Sequence, residues 1–247
     1  MTSPFDRDGY VVVPHDPKVL AWSHAAHEAA TQVVKTPGDL RHGKTWRVGV
    51  DELPNGPDGS IGGVALTGAW ASYVTMPEIW HEAQLSVVYP GYPQQDQTDS
   101  DAAHGFRVRR DAAHVDGLLP EGPGKRRHLR EPHSFILGLP LNIATASPLV
   151  VWRGSHHVIK SAFAQAFEGV DPNLWGEVDV TDVYQTARRL VFETCPRVVV
   201  RVRPGQATLS HRHLVHGVAP WGAGTAPPEG RMIAYFRPHL AEVRDWL

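Results

Sequence analysis

The sequence predicts a β-sandwich or barrel that carries α-helices on its outside. Helical patterns come early, many short strands come late, and the two do not alternate in the β-α-β rhythm of a parallel sheet. The chain has 247 residues and shows neither an internal repeat nor a linker between two parts. Since all-β units of this length are common, we expect a single domain over residues 1–247.

The first half of the chain begins with a strand and a long helix. Asp8-Gly9 before the apolar run Tyr10–Val13 indicates a turn followed by a short strand. Asp16 and Pro17 are typical of an N-cap and a first-turn proline, and they predict a helix to about Val34. We then expect loops over 36–65 with a short strand near Trp46–Val50. A short helix over Pro77–Gln84, a strand over Leu85–Tyr89 and a polar segment over Gln94–His104 should follow.

Strands dominate the prediction for the second half. In Arg197–Arg203 every second residue from Val198 is a valine, which is the period of a half-buried strand. Further strands are expected over Arg107–Val115, Ser134–Leu141, Leu149–Trp152, Ala207–His211 and Arg231–Phe236. Two helices are expected near Val158–Phe167 and Thr181–Phe192, and a basic loop over Glu121–Glu131.

Composition excludes several classes of function. The formal net charge of −2 argues against electrostatic binding to nucleic acid or to a membrane surface. Cys195 is the single cysteine, so we expect no disulfide within the chain and no thiolate zinc or iron–sulfur site. There is neither a signal peptide nor an apolar run of about 18 residues, so the expected location is the cytoplasm.

His114 and Asp116 are the most informative pair of residues. In a strand, residues i and i+2 point to the same face, so the pair could present a nitrogen and an oxygen side by side. A histidine from another strand, such as His216 about a hundred residues later, would complete a facial triad of two histidines and a carboxylate. Such a triad binds iron(II) and leaves the opposite face open. On spacing alone, a surface turn is the competing interpretation.

Several further blocks give the pair a context. The blocks are Asp8-Gly9-Tyr10-Val11-Val12, His114-Val115-Asp116-Gly117, Pro148–His156 with Gly154-Ser155-His156 at its end, Pro204-Gly205-Gln206, His216-Gly217-Val218 and Arg231–Phe236. In this order the chain resembles the phytanoyl-CoA dioxygenase-like family of iron(II)/2-oxoglutarate oxygenases, over nearly its whole length.

The resemblance implies a double-stranded β-helix, a jelly-roll or cupin-like barrel with flanking helices. It implies that His114, Asp116 and His216 bind iron(II), and that Arg231 binds the distal carboxylate of 2-oxoglutarate. With O₂, such an enzyme hydroxylates a small molecule and decarboxylates 2-oxoglutarate to succinate. Related halogenases lack the carboxylate, so Asp116 favours hydroxylation or another oxidation.

Two departures from the family pattern leave alternatives open. Pro220-Trp221 stands where the family usually has Pro-Asn, and the segment Gly222–Gly230 lengthens the distance from His216 to Arg231. Arg237 therefore remains a second candidate for the 2-oxoglutarate carboxylate.

Other histidines compete with His216 for the distal position. In a perfect strand His211 and His213 share one face and His216 points to the other, unless a bulge or turn intervenes. His216 precedes a glycine, as the family's ligand does, whereas His211 is interpreted as a core residue or a neighbour of the ligands. The pair at 156 and 157 is interpreted as structural.

Two rival functions remain possible from the sequence. One is a cupin-like metalloenzyme that does not use 2-oxoglutarate, and the other is a barrel binding protein without catalysis. A cluster of basic residues predicts either a rim for an anionic substrate or a solvated loop: Arg107, Arg109, Arg110, Lys125, Arg126, Arg127 and Arg130. Nothing in the sequence indicates the oligomeric state.

Overall fold

Two antiparallel sheets form the centre of the protein, whose computed structural model describes residues 3–222, 224–225 and 227–247. The strands are β1 (Tyr10–Val13), β2 (Leu40–Arg41), β3 (Trp46–Arg47), β4 (Gln84–Val88), β5 (Leu118–Glu121), β6 (Arg126–Leu129), β7 (Phe135–Pro140), β8 (Leu149–Trp152), β9 (Arg197–Val200), β10 (Ala207–His211), β11 (His216–Val218) and β12 (Arg231–Phe236). The α-helices are α1 (Pro4–Asp8), α2 (Pro17–Val33), α3 (Asp101–Arg109), α4 (Ser155–Ala166) and α5 (Thr181–Thr194). Short 3-10 helices lie at Ala69–Tyr73, Pro172–Glu177 and Val243–Trp246.

The strand order brings distant parts of the chain together. The large sheet has the order β1-β10-β7-β12-β4-β3-β2, the small sheet the order β11-β8-β9, and β5 and β6 form a separate hairpin. In the large sheet Ala234 pairs with Leu139 on one side and with Leu85 on the other. Residues from both sheets line one cavity, so the sheets are the two walls of an antiparallel sandwich.

The large sheet has one apolar and one polar face, and both are buried. Its apolar face packs against α2, where the Trp22 ring lies 5.7 Å from the Phe236 ring. The polar residues alternate with the apolar ones and lie on the opposite face, which the second sheet covers: Gln84, Ser86, Thr208 and Ser210. A buried polar face is costly unless its groups find partners, so this face marks a site rather than a core.

Helices cover the outer face of the small sheet. Val150 and Trp152 of β8 pack in one apolar cluster with Ile159 and Phe163 of α4 and with Val191 of α5. The small sheet is thereby held at its back by α4 and α5, while its front faces the cavity.

Local signals located most elements correctly. Helix α2 begins after Asp16, whose side chain accepts a hydrogen bond of 2.9 Å from the backbone N–H of Lys18. The predicted bounds of β8, β10 and β12 are confirmed.

Three local predictions are wrong. No regular strand forms over Arg107–Val115: a turn and the isolated bridge at His114 follow residues 107–109, which belong to the end of helix α3. None of its residues is fully buried, so no apolar period marks it in the sequence. No helix forms over Pro77–Gln84, because Ala83 bonds through its backbone to Leu53 and to the side chain of Asn55. The expected loop Glu121–Glu131 contains β6 and the last residue of β5, and these two strands pair as a hairpin.

Within the described part of the chain, no helix combines the length and the apolar character needed to cross a bilayer.

Candidate metal centre

The two predicted ligand histidines face each other across an isolated antiparallel bridge. The His114 N–H donates to the His216 carbonyl oxygen at 2.8 Å, and the His216 N–H donates to the His114 carbonyl oxygen at 3.0 Å. The ring centroids are 4.7 Å apart. His114 therefore reaches its place through this bridge and not through a regular strand.

Asp116 completes the group. One carboxylate oxygen, Oδ1, lies 3.0 Å from Nε2 of His114, and the other, Oδ2, lies 3.7 Å from Nε2 of His216. One potential ligand atom from each of the three residues lies within 4.8 Å of the others. The structure thus brings together the three residues that the sequence nominated.

Asp116 and His216 are each followed by a glycine, because at both positions another backbone segment lies too close to leave room for a side chain. At Gly117, where φ is 82°, an added Cβ would lie 2.2 Å from the carbonyl oxygen of Glu131. At Gly217 it would lie 2.0 Å from the carbonyl oxygen of Asp111. These contacts give a physical reason for the His-x-Asp-Gly and His-Gly patterns.

The histidines are oriented as metal ligands require. Nδ1 of His114 lies 2.9 Å from the carbonyl oxygen of Ala112, and Nδ1 of His216 lies 2.9 Å from that of Leu214. A carbonyl oxygen only accepts, so each Nδ1 carries the hydrogen. In the neutral ring Nε2 then presents a lone pair, and a backbone partner on the other nitrogen is the usual support for a metal-bound histidine.

The charges also fit a divalent cation. Burial alone would raise the pKa of Asp116, but Arg237 and the two histidines outweigh it and hold this pKa well below its ordinary value. Burial lowers the pKa of His216 to about 4, against an opposing effect of Asp116. At neutral pH the site therefore offers a carboxylate and a neutral imidazole, which are the protonation states that metal binding needs.

Arg237 holds the ligand carboxylate. Its Nε donates to Oδ2 of Asp116 at 2.6 Å, and its Nη1 donates to Oε1 of Gln84. Its backbone N–H donates to Nε2 of His81 at 2.8 Å. Since one oxygen of Asp116 is bound to the guanidinium, the other is the freer one for a metal ion.

Arg231 is at the other end of β12 and is differently placed. Arg231 is not one of the residues that line the cavity, but it lies on the same face of the strand as Tyr235, which does, because residues four apart in a strand point the same way. Only 5% of Arg231 is exposed. Among the described residues its guanidinium has no ion-pair or hydrogen-bond partner, and Nη1 is fully buried. A buried, unpaired guanidinium is unfavourable and fits a site for an anion.

A cavity of about 780 Å³ opens beside the three candidate ligands. Its apolar wall is formed by Trp46, Val48, Val50, Ile79, Leu119, Ile136 and Leu149. Its polar wall includes the buried face of the large sheet together with Tyr235 and Arg237. A volume of this size accommodates a small organic molecule.

Sequence reasoning missed several cavity residues. The rim includes His81, His133 and His239 with Glu131, and no local pattern distinguishes these from the other histidines of the chain. The inner polar face could have been found, because polar and apolar residues alternate through β4 and through β10. That alternation ordinarily indicates a solvent-exposed face, and here the second sheet covers it.

The basic cluster does not support an anionic rim, since none of its seven residues lines the cavity. Arg126 is paired with Asp179 and Asp182, and Arg130 with Glu121. These two arginines form structural ion pairs at the β5–β6 hairpin, and Arg107 pairs with Asp99 beside α3.

The competing histidines lie elsewhere. A turn separates β10 from β11, so His216 starts a strand in the other sheet and the strand-phase objection does not apply. His213 is fully buried against the Trp246 ring at 4.3 Å, and His211 lies beside it. Nε2 of His156 lies 2.9 Å from the carbonyl oxygen of Asp6, a contact that fits a structural role.

The buried histidines predict acid sensitivity. Burial lowers the pKa of His211 from its ordinary value of 6.5 to about 3. Between these two pH values the unfolded chain binds a proton that the folded chain does not. The free energy of unfolding therefore falls as pH falls through this window, by up to about 1.4 kcal/mol per pH unit for the proton. Urea unfolding from pH 7.5 to pH 4.5 should show a shallower slope for His211→Gln than for wild type. An identical slope would contradict the assignment.

Arg237 should act through Asp116. In Arg237→Met the Asp116 carboxylate loses its hydrogen-bond partner. We expect iron(II) affinity to fall about ten- to a hundredfold, as it does when other residues that hydrogen-bond to metal ligands are replaced. Arg237→Lys keeps the charge but not the planar fork that joins Asp116 to Gln84, so an intermediate loss is expected. Anaerobic equilibrium dialysis measures both, and wild-type affinity in Arg237→Met would show that the contact is dispensable.

Comparisons with known proteins locate the fold. No family model matches this chain, and no curated protein matches it in sequence. Among solved structures it is similar to SnoK, a non-heme alpha ketoglutarate dependent carbocyclase from nogalamycin biosynthesis, with a TM-score of 0.51 and 16% identity over 96% of this chain and 86% of SnoK. The likeness to SnoK shows that the two chains share a fold.

Two further structures are similar over comparable lengths. One is the epimerase SnoN in complex with Fe³⁺, alpha ketoglutarate and nogalamycin RO, with a TM-score of 0.48 and 17% identity over 95% of this chain and 80% of SnoN. The other is EctD from S. alaskensis with 2-oxoglutarate and 5-hydroxyectoine, with a TM-score of 0.41 and 16% identity over 94% of this chain and 72% of EctD.

Proposed function

We propose that this protein is a non-haem iron(II)- and 2-oxoglutarate-dependent dioxygenase that hydroxylates a small molecule, on a double-stranded β-helix of the phytanoyl-CoA dioxygenase-like kind. The observation that carries the proposal is the convergence of two imidazole Nε2 atoms and one carboxylate within 4.8 Å. The shared fold with SnoK supports it.

In this proposal His114, Asp116 and His216 hold iron(II). With three protein ligands, a bound iron(II) would have room for the co-substrate and O₂, and it would supply the activation of O₂ that oxidation of a C–H bond needs. One oxygen atom of O₂ enters succinate, CO₂ is released, and the other oxygen atom enters the product hydroxyl. The chain's own contribution is to fix the ligands: backbone carbonyls orient the histidines, and Arg237 orients Asp116.

Arg231 is the residue we assign to the distal carboxylate of 2-oxoglutarate. Arg237 already donates to Asp116 and Gln84, whereas no described acceptor faces the guanidinium of Arg231. A guanidinium can grip a carboxylate through two parallel hydrogen bonds, and such an anion would remove the cost of burying the unpaired charge.

Hydroxylation is the reaction we favour, because an intact carboxylate ligand occupies the position that halogenases leave open. SnoK is described as a carbocyclase, so the same fold also serves other oxidations. Transfer of one ¹⁸O atom from ¹⁸O₂ into the product, together with one into succinate, would distinguish hydroxylation from ring closure.

The proposed function is tested without knowing the substrate. Anaerobic addition of iron(II) and then 2-oxoglutarate should produce the weak visible charge-transfer band of the chelate, and succinate should form slowly when O₂ is admitted. Bound iron without the band would favour a cupin-like metalloenzyme that does not use 2-oxoglutarate. No bound iron would favour a binding protein.

A further inference from the structure

A second group of metal-binding side chains lies where the turn between β2 and β3 meets the segment before α3. Nδ1 of His42 lies 3.7 Å from Oδ2 of Asp96 and 3.6 Å from Oδ2 of Asp99. One potential ligand atom from each of the three residues lies within 4.8 Å of the others. None of the three belongs to the iron site proposed above.

His42 is held in place by packing rather than by polar contacts of its ring. Only 8% of the residue is exposed. Its ring stacks on Trp46 at 5.6 Å with an interplanar angle of 7°, and it meets the edge of Tyr92 at 6.0 Å. Nδ1 is buried and has no hydrogen-bond partner among the residues that the structure describes.

The surroundings of Nδ1 are unfavourable for either tautomer of the neutral His42 ring. If Nδ1 carries the hydrogen, it is a buried donor whose two neighbouring carboxylate oxygens are beyond hydrogen-bond distance. If Nδ1 carries the lone pair, it points at two anions. A cation between the three atoms removes both problems, because it attracts the lone pair and both carboxylates.

The spacing suits a metal ion. At bond lengths near 2.0–2.1 Å, ligand atoms around a tetrahedral Zn²⁺ are about 3.3 Å apart. The two gaps from Nδ1 of His42 close with movements of a few tenths of an ångström, and the two carboxylate oxygens lie within 4.8 Å of each other. Asp96 is already fixed, since its two oxygens accept hydrogen bonds of 2.6 Å from the backbone N–H groups of His42 and Gly43. We propose that His42, Asp96 and Asp99 form a second metal site that takes a divalent ion of the Zn²⁺ type.

The site would connect a surface segment to the cavity wall. Trp46 lines the cavity and donates through its indole N–H to the Ser86 hydroxyl at 2.9 Å, and its ring stacks on that of His42. A metal ion on His42 and the two aspartates ties residues 96–99 to this wall. Its role is therefore structural, and it is independent of the proposed iron chemistry.

The positive charge of Arg107 competes with a metal ion for Asp99. Its Nη1 donates to Oδ2 of Asp99 at 2.9 Å, so a positive charge already lies beside one of the three ligands. Removing that charge should strengthen binding of a cation at the site, whereas it should not affect Zn²⁺ on unrelated surface histidines.

The test uses metal-free full-length protein in which His114→Ala and His216→Ala remove the other site. Calorimetric titration with Zn²⁺ should show one ion per chain, against two for wild type. Adding His42→Ala should weaken Zn²⁺ binding by more than about a hundredfold. This exceeds the loss that follows mutation of residues that hydrogen-bond to metal ligands. Asp99→Asn, which keeps one oxygen donor, should weaken it less, and Arg107→Gln should strengthen it several-fold.

Each result decides the proposal. It is overturned if the protein without the two triad histidines binds no Zn²⁺, if binding survives His42→Ala, or if Arg107→Gln weakens it. Circular dichroism checks folding, and if His42→Ala is unfolded, Asp96→Asn with Asp99→Asn tests the same ligands. Because the triad histidines are absent, failure here leaves the iron proposal untouched, and loss of the iron site leaves this one measurable.

Discussion

Replacing Asp116 with alanine should abolish the proposed iron site, the largest effect we expect from one substitution. The change removes one of three ligand atoms and the negative charge that attracts the cation, and it leaves Arg237 beside the vacated position. Iron(II) affinity should fall by more than about a hundredfold, since even contacts behind a ligand are worth ten- to a hundredfold. Anaerobic iron(II) dialysis and succinate formation at saturating 2-oxoglutarate measure the two losses.

Two variants make the result specific. Asp182→Ala removes an exposed aspartate on α5 and should leave iron binding and succinate formation at wild-type levels. Asp116→Asn keeps the shape and one oxygen, so an intermediate affinity is expected. If Asp116→Ala forms succinate at the wild-type rate, the ligand assignment is wrong.

Replacing Arg231 with methionine should weaken 2-oxoglutarate binding while iron(II) binding stays close to wild type. Losing one partner of a buried, hydrogen-bonded charge pair costs about 2–4 kcal/mol, which corresponds to about thirty- to a thousandfold in the dissociation constant. Titration of the anaerobic iron(II) protein with 2-oxoglutarate, followed by its visible band, measures the change.

Thermal stability gives an independent readout for the same residue. Without 2-oxoglutarate, Arg231→Met should melt no lower than wild type, because methionine replaces a buried guanidinium that has no described partner. Added 2-oxoglutarate should raise the melting temperature of iron-loaded wild type and not that of the variant. A larger loss of 2-oxoglutarate affinity in Arg237→Met than in Arg231→Met would transfer the assignment to Arg237.

Local signals in the sequence were enough for most elements, whereas the three candidate ligands were named through the resemblance to a known family. The Asp16-Pro17 start of α2 and the apolar strands β8 and β12 depend on contacts within a few residues, so their patterns are visible in the chain. Helix α3 was missed because it buries no complete side chain and therefore carries no apolar period.

The sequence could not decide between Arg231, which begins β12, and Arg237, which directly follows it, for the 2-oxoglutarate carboxylate. Both follow the same period and carry the same charge. Arg237 differs because the fold places Asp116 and Gln84 against it, and Arg231 differs because the fold leaves its buried guanidinium without a described partner. Which partners meet depends on the order of strands in the sheets.

The sequence by itself determined the residue types for the chemistry and the local shape of most segments: the His-x-Asp-Gly and His-Gly motifs, the helix starts and the strand periods. Tertiary structure alone decided the convergence of His114 with His216, the covering of the polar face of the large sheet, and the meeting of His42 with Asp96 and Asp99. The physical reason is that backbone propensity acts over a few residues, whereas these contacts join segments that only the packing of the two sheets and their loops brings together.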